Sequence, residues 1–379
     1  MFPSECWVPQ TLPAGADRTT SCAHRIVTRG DPPVSNVRIG LLGAGRIAQS
    51  AHLPAISKCE GVELVGLYDL SPLLSERVSR RYAVQSYGDM DALLADSTID
   101  AVVVAVPDRF HFSLAAAALK AGKHVLVEKP LAGTLVESQQ LVALAKTSGM
   151  VLQVGAMKRH DPGVRYAAHA VRERIGKVLS ATVWYRVMSA MRPLVEATYF
   201  PPMIVDEVVS RKESAFKSDR GNYLLVTHGA HVLDGMRYLL GSPKELCARR
   251  ANIGNDYTWH GLATLTDGGL ANFEITANVH SDWSEGAEIY GEKGSVKMRT
   301  PFPVTMAASE VEVFDETTGL IDKPTFGDTN PYKLQMDYFA RAITEGLPGD
   351  PNADDGLAAM QLIDAVNRSL KSGGAWVCP

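Results

Sequence analysis

Residues 37–49 read VRIGLLGAGRIAQ, and this stretch decides the fold. Val37, Ile39, Leu41 and Leu42 make the nearly continuous apolar run of a strand buried on both faces. Gly43, Ala44 and Gly45 break that run, and a helix is expected over 46–57. In the spacing Gly43-x-Gly45-x-x-Ala48, Gly43 permits a tight turn and Gly45 lets backbone approach a pyrophosphate. Ala48 allows close packing of helix on strand. The N–H groups at the start of the helix, around Arg46 and Ile47, face such a phosphate, and the helix dipole adds to the attraction. Glycine patterns of this kind are common alone. A strand before and a helix after make this one a dinucleotide-binding turn.

Working outward, a second strand is expected over 62–69, ending in Asp69. A carboxylate there can accept hydrogen bonds from the adenosine ribose and repels a 2′-phosphate. Leu70 and Ser71 follow it and supply no cation, so NAD rather than NADP is the expected coenzyme. Helices over 71–82, 91–95, 108–122 and 134–148 alternate with strands over 85–88, 101–106, 124–128 and 150–154. This alternation predicts an α/β fold with a parallel, doubly wound Rossmann sheet and right-handed crossovers. Ligands bind beyond the carboxyl ends of such strands, so Gly43, Asp69, Pro107, Glu128 and Gly155 should line one crevice.

After Met157 the pattern changes to strand-like alternation over 179–188, 246–253, 258–265, 270–278 and 288–290. Asp267-Gly268-Gly269 and Glu292-Lys293-Gly294 read as hairpin turns. The second half should be an α/β domain with an open, largely antiparallel sheet covered on one face, with helices over 162–173 and 224–240 within it and helices over 331–345 and 356–371 closing the chain. The expected division is an extension at 1–35, a dinucleotide-binding domain at 36–156 and a second domain at 157–379 whose last helix packs back toward the first. The Pro-interrupted extension is either a tail or a docking arm, and it lacks the pattern of a secretory signal. Residues 191–219 read as a long loop, a lid or a subunit contact.

Composition narrows the class. Of 379 residues 46% are apolar and 21% charged, and the net charge is −4, which gives no sign of a nucleic-acid or anionic-membrane surface. No apolar run approaches the roughly 18–20 residues of a membrane span. The five cysteines, Cys6, Cys22, Cys59, Cys247 and Cys378, are scattered without zinc spacing, so free thiols, no metal and a cytoplasmic location are expected.

Two clusters carry chemistry. Glu128-Lys129-Pro130 follows an apolar strand directly, and Lys129 there could hold a substrate hydroxyl and stabilise alkoxide character, aimed by a cis Pro130. The second cluster, Thr227, His228, His231 and Asp234, lies within LLVTHGAHVLDGMRYLLG. Residues 227, 231 and 234 share one helix face, and His231 titrates in the range useful for a base. Asp234 either orients His231 or pairs elsewhere. Arg159, Trp184 and Arg186 are further candidates for the substrate pocket.

Taken together, GLLGAGRIA, VPDRFHF, GKHVLVEKPLA and GAHVLDGMRYLLG in this order resemble the Gfo/Idh/MocA oxidoreductases over about residues 36–375. The resemblance implies a Rossmann domain joined to an open-sheet domain that makes homo-oligomers, dimers, tetramers or larger, through that sheet. It implies nicotinamide between the domains, Lys129 and His231 at the substrate, and coenzyme contacts from Pro107, His111 and Glu128. Many members carry aspartate where this chain has Thr227, which shifts proton transfer onto His231, with Thr227 and His228 left to bind substrate hydroxyls. The expected activity is NAD-dependent oxidation of a secondary hydroxyl of a sugar, glycoside or polyol, for example the 3-hydroxyl of a glycoside. The alternatives are an inositol dehydrogenase and a dinucleotide-binding regulator without catalysis.

Overall fold

Val37–Leu42 forms strand β1, paired in parallel with β2 (Val62–Tyr68) on one side and β4 (Ala101–Val104) on the other. The computed structural model describes residues 36–188, 194, 197–198, 200–215, 219–280, 283–302 and 307–379. The expectations for residues 1–35 lie outside the described residues. With β3 (Gln85–Ser86), β5 (His124–Glu128) and β6 (Leu152–Gly155), these strands form a six-stranded parallel sheet in the order β3-β2-β1-β4-β5-β6. Alternation explains its burial on both sides. Ile39, Leu41, Ala101 and Val103 point into one core, whereas Leu42, Val102 and Val104 point into another.

Three helices of this half start on side-chain caps. Ser71 caps α2 (Pro72–Tyr82), Asp89 caps α3 (Met90–Ala95) and Thr134 caps α5 (Leu135–Ser148). The helix after the glycine turn contains a π-helical stretch, Ala48–His52, before α1 (Leu53–Ile56). A short 3₁₀ turn at Asp108–Phe110 leads into α4 (His111–Lys120).

The second sheet has eight strands in the order β14-β13-β12-β11-β7-β10-β9-β8. Its central strands are β7 (Val178–Met188) and β10 (Leu270–Val279), and they are parallel; the remaining neighbours are antiparallel. Both expected hairpin turns are present, joining β9 (Asp256–Thr264) to β10 and β11 (Ser284–Gly291) to β12 (Gly294–Thr300). Strand β8 is Glu245–Ile253. Strands β12, β13 (Glu310–Asp315) and β14 (Leu320–Asp322) go beyond the sequence reading. One face of the sheet, with Val183, Tyr185, Phe273, Ile275 and Trp259, is packed under α6 (Pro162–Glu173) and α8 (Arg220–Leu240).

The last two helices pack back onto the first half of the chain. From α9 (Pro331–Glu345), Met336, Phe339 and Ala340 join the core around Ile39 and Leu41. The last helix, α10 (Ala353–Lys371), packs on α5 and β6 as well as on α8 and β8. Part of the segment expected to be loop is helical, α7 (Glu207–Ala215), capped by Asp206. Among the described residues no helix is long and apolar enough to cross a membrane.

Gly43 has φ +95°, and a Cβ there would lie 2.5 Å from the carbonyl oxygen of Ala105. Gly43→Ala therefore meets both left-handed strain and a backbone clash. It should lower the unfolding free energy by about 2 kcal/mol or more in urea titration, and an unchanged midpoint would refute this account of the turn.

Candidate functional site

The glycine turn is held from the neighbouring strand. The Gly43 N–H donates to the carbonyl of Tyr68 (2.8 Å), and the Ala44 N–H donates to Asp69 Oδ2 (2.7 Å). Asp69 Oδ1 accepts from the Ser71 N–H at 2.8 Å, so one carboxylate joins the tips of β1 and β2. A Cβ on Gly45 would meet nothing within 4 Å, and the space it faces is the cradle a pyrophosphate needs. Ala48 is fully buried, Ile47 is partly buried and Arg46 is exposed at the helix start. Gly43, Gly45, Arg46, Ile47 and Asp69 thus stand together in an arrangement that fits a dinucleotide. Pro107 stands after β4, ahead of the 3₁₀ turn. The sequence reading passed over Gln49. Its buried amide donates to the carbonyls of Ala44 (2.8 Å) and Ile204 (2.9 Å) and accepts from the Ile204 N–H (2.9 Å).

At the end of β5 the chain reaches Lys129 through buried polar groups. Glu128 Oε1 lies 2.7 Å from His52 Nε2, and Glu128 Oε2 accepts from the Lys129 N–H at 3.2 Å. Burial raises the Glu128 pKa, but the hydrogen bond and charge of His52, with Lys129 and His111, outweigh it and hold the carboxyl below its usual value. His111 is buried with Nδ1 2.6 Å from the carbonyl of Pro130 and Nε2 2.9 Å from that of Val106, and burial lowers its pKa. Glu128 and His111 were expected to touch the coenzyme. Their polar atoms have protein partners, as groups buried this deeply need, and they anchor the Lys129–Pro130 segment. That peptide bond is cis.

Lys129 Nζ donates to the main-chain carbonyl of Thr227 at 3.3 Å. Thr227 lies one helical turn before His231 on α8, so the amine reaches the helix that carries the imidazole. Lys129 and His231 also border two adjoining cavities that share Ala156, Ala230 and Asp234. The His231 ring stacks on Tyr185, centroids 5.1 Å apart and planes 15° apart, and His228 lies 5.7 Å from the same ring. Burial first, then the charges of Lys129, Lys158 and His228, hold the His231 pKa well below the ordinary imidazole value.

Three groups here escaped the sequence reading: Tyr185, Lys158 and Trp283. Lys158 Nζ is 4.3 Å from the Tyr185 ring centroid and 5.5 Å from that of Trp283, and it is ion-paired with Glu285. Burial lowers the Lys158 pKa against the opposing pull of Glu285, and burial raises that of Glu285. Tyr185 has the parity of Ala181 and Val183, which face the core, and this is the signal that could have found it.

The same parity corrects two expectations. Trp184 and Arg186 lie on the opposite face of β7 from Tyr185 and His231. Trp184 donates to Ser284 Oγ (3.1 Å), and Arg186 pairs with Glu274 (2.6 Å). Arg159, expected at the substrate, borders the same cavity as His231. Its guanidinium is buried against Asp234 (2.6 Å) and Asp355 (3.2 Å), which keep its pKa raised despite burial. Asp234 therefore pairs with Arg159 rather than orienting His231. Among the described residues no group of three or more His, Cys, Asp or Glu side chains could hold a metal ion.

Residues 37–156 match the model of the oxidoreductase family with an NAD-binding Rossmann fold, GFO/IDH/MocA, and residues 164–297 match the C-terminal domain model of the same family. The chain is 28% identical to an inositol 2-dehydrogenase of Rhizobium meliloti, covering 88% of this chain and 97% of that one. It is 24% identical to D-xylose 1-dehydrogenase (NADP(+)) 2 of Haloferax volcanii, covering 89% and 98%. It shares its fold, with a TM-score of 0.76 and 21% identity, with a levoglucosan dehydrogenase solved with NADH and L-sorbose, covering 91% and 99%.

Removing the carboxylate beneath Lys129 should be costly. Glu128→Ala leaves His52 buried without its partner and should lower the unfolding free energy by about 1–3 kcal/mol in urea titration. An unchanged midpoint would rule out the anchoring role.

Proposed function

The chain belongs to the GFO/IDH/MocA oxidoreductases, and on that footing we propose that it is an NAD-dependent dehydrogenase of a secondary hydroxyl on a sugar, glycoside or polyol. The observation that carries this reading is the contact of Lys129 Nζ with the Thr227 carbonyl, one turn before His231. Relatives named for inositol and xylose oxidation support the substrate class. The cyclic polyol is the second reading, favoured by the 28% identity to an inositol 2-dehydrogenase. Asp69 favours NAD over NADP. The open face of the second sheet, which carries Trp184 and Arg186, is the proposed surface for a homo-oligomer, and the proposed location is the cytoplasm.

A bound nicotinamide coenzyme would supply the hydride acceptor for the carbinol carbon. Lys129 Nζ donates a hydrogen bond to the reacting hydroxyl oxygen and stabilises its alkoxide character. Neutral His231 accepts the hydroxyl proton at an imidazole nitrogen. Its depressed pKa keeps it neutral and therefore ready to act as base. Thr227 and His228 bind neighbouring hydroxyls, and Tyr185 fixes the plane of the His231 ring. Gly43, Gly45, Arg46 and Ile47 hold the pyrophosphate and Asp69 the ribose, with Pro107 at the crevice edge.

Full-length protein mixed with NAD and a panel of glycosides, inositols and pentoses should generate reduced nicotinamide, read by its absorbance. No change with any of them, and none with keto-sugars and NADH, would overturn the proposal. Lys129→Met should lower kcat/KM by about a hundredfold to ten-thousandfold while NADH binding persists. An unaffected turnover would remove Lys129 from the chemistry.

The pH profile follows from the sign of the His231 shift. A base must be neutral, so a lowered pKa moves the acid limb of kcat/KM for oxidation below pH 6.5, the ordinary histidine value. Lys158→Gln removes one positive neighbour and should move that limb upward. A limb at or above pH 6.5, or one that does not respond to the substitution, would exclude His231 as the base.

A further inference from the structure

A segment of the second half of the chain reaches back over the adenosine end of the coenzyme turn. Gln49, in the helix that follows the glycine turn, grips Ile204 through both its amide and its carbonyl (2.9 Å each). Arg81 on α2 donates to the carbonyl of Pro202 (2.9 Å), and Arg109 is ion-paired with Glu213. Between these clasps lies Asp206. Its Oδ2 accepts from Ser71 Oγ at 2.6 Å, and its Oδ1 caps α7 through the N–H groups of Val208 (3.0 Å) and Val209 (3.2 Å).

Ser71 is the N-cap of α2, and its Oγ accepts from the Leu74 N–H at 3.2 Å. It lies two residues after Asp69, whose Oδ1 accepts the Ser71 N–H. The start of this helix, with its positive dipole end and the Ser71 hydroxyl, is where a 2′-phosphate on the adenosine ribose would lie. In this chain a carboxylate from a distant segment is already bound to the capping hydroxyl, and a second carboxylate stands two residues upstream. A dianionic phosphate placed there meets two negative charges and loses the Ser71 hydroxyl as a donor.

We propose that Asp206 is a specificity-determining residue for the coenzyme: together with Asp69 it excludes the 2′-phosphate of NADP, and Gln49 holds its segment in place. The inference rests on the dinucleotide site described above and adds to it a determinant more than 130 residues away in sequence, beyond the reach of the acidic strand end alone.

The test is fluorescence titration of the full-length protein with NADH and NADPH, which needs no knowledge of the substrate. Two variants are compared with the wild type: Asp206→Asn, which keeps an oxygen to cap α7 and removes the charge, and Asp206→Ala. The quantity read is the ratio of the two dissociation constants. The wild type should favour NADH, and both variants should lower that preference by about fivefold or more, with the Asn variant sufficient. A smaller change in both variants, with the wild type still preferring NADH, would overturn the role of Asp206 and leave the coenzyme reading intact. A change confined to the Ala variant would assign the effect to helix capping and overturn the charge argument. A wild type that binds neither coenzyme, or prefers NADPH, would overturn the reading beneath the proposal and the proposal with it.

Discussion

The placement of Lys129 depends on a carboxylate taken out of water. Glu128 follows the buried Val125, Leu126 and Val127 at the end of a strand, and a charge there is tolerable only with close partners. His52, from the helix after the glycine turn, supplies one; the N–H of Lys129 supplies another. His111 then lies between the carbonyls of Pro130 and Val106, 2.6 and 2.9 Å from its two ring nitrogens. The glycine turn, the strand that precedes Lys129 and the start of α4 are therefore linked through two buried imidazoles. The coenzyme cradle and the amine are parts of one hydrogen-bonded assembly.

On the other side of the crevice, electrostatics sorts three neighbouring cations into different tasks. Arg159 is fully engaged by Asp234 and Asp355, and Lys158 is paired with Glu285 against the face of Tyr185. Lys129 alone among them reaches the main chain of α8. The positive potential of Lys129 and Lys158 falls on His231, which is itself partly buried against Tyr185. A ring in that field resists a second proton, and this property suits it to take one from a substrate rather than to carry one at rest.

Much of the first sheet was legible because its strands are buried on both faces and so read as unbroken apolar runs, such as Ala101–Val104. Caps at Ser71 and Thr134 fixed helix starts for local reasons. Lys129 and His231 could be singled out because each sits in a short, chemically unusual segment. What could not be read depends on pairing between distant residues. Whether Tyr185 or Trp184 faces the imidazole is set by the register of β7 against β10 and β11, and a one-residue slip exchanges the two faces. In Lys158-Arg159-His160 all three side chains are basic, and only the positions of Asp234 and Glu285 separate their roles. The helix α7 and its approach to Ser71 depend on a contact spanning 135 residues, which no local pattern announces.

The packing of α9 bears on how the chain can be made. Ile39 and Leu41, among the first described residues to leave the ribosome, rest against Met336 and Phe339, nearly the whole chain later. Until those late side chains arrive, the flank of the nascent sheet that Leu53, Ile56, Leu74 and Val78 also pack against is only partly covered. The pairing is strongly non-local, so it forms late and delays completion of that core. A polypeptide halted before α9 would expose a strip of Ile, Leu and Val to solvent, the kind of surface that chaperones bind and that drives aggregation.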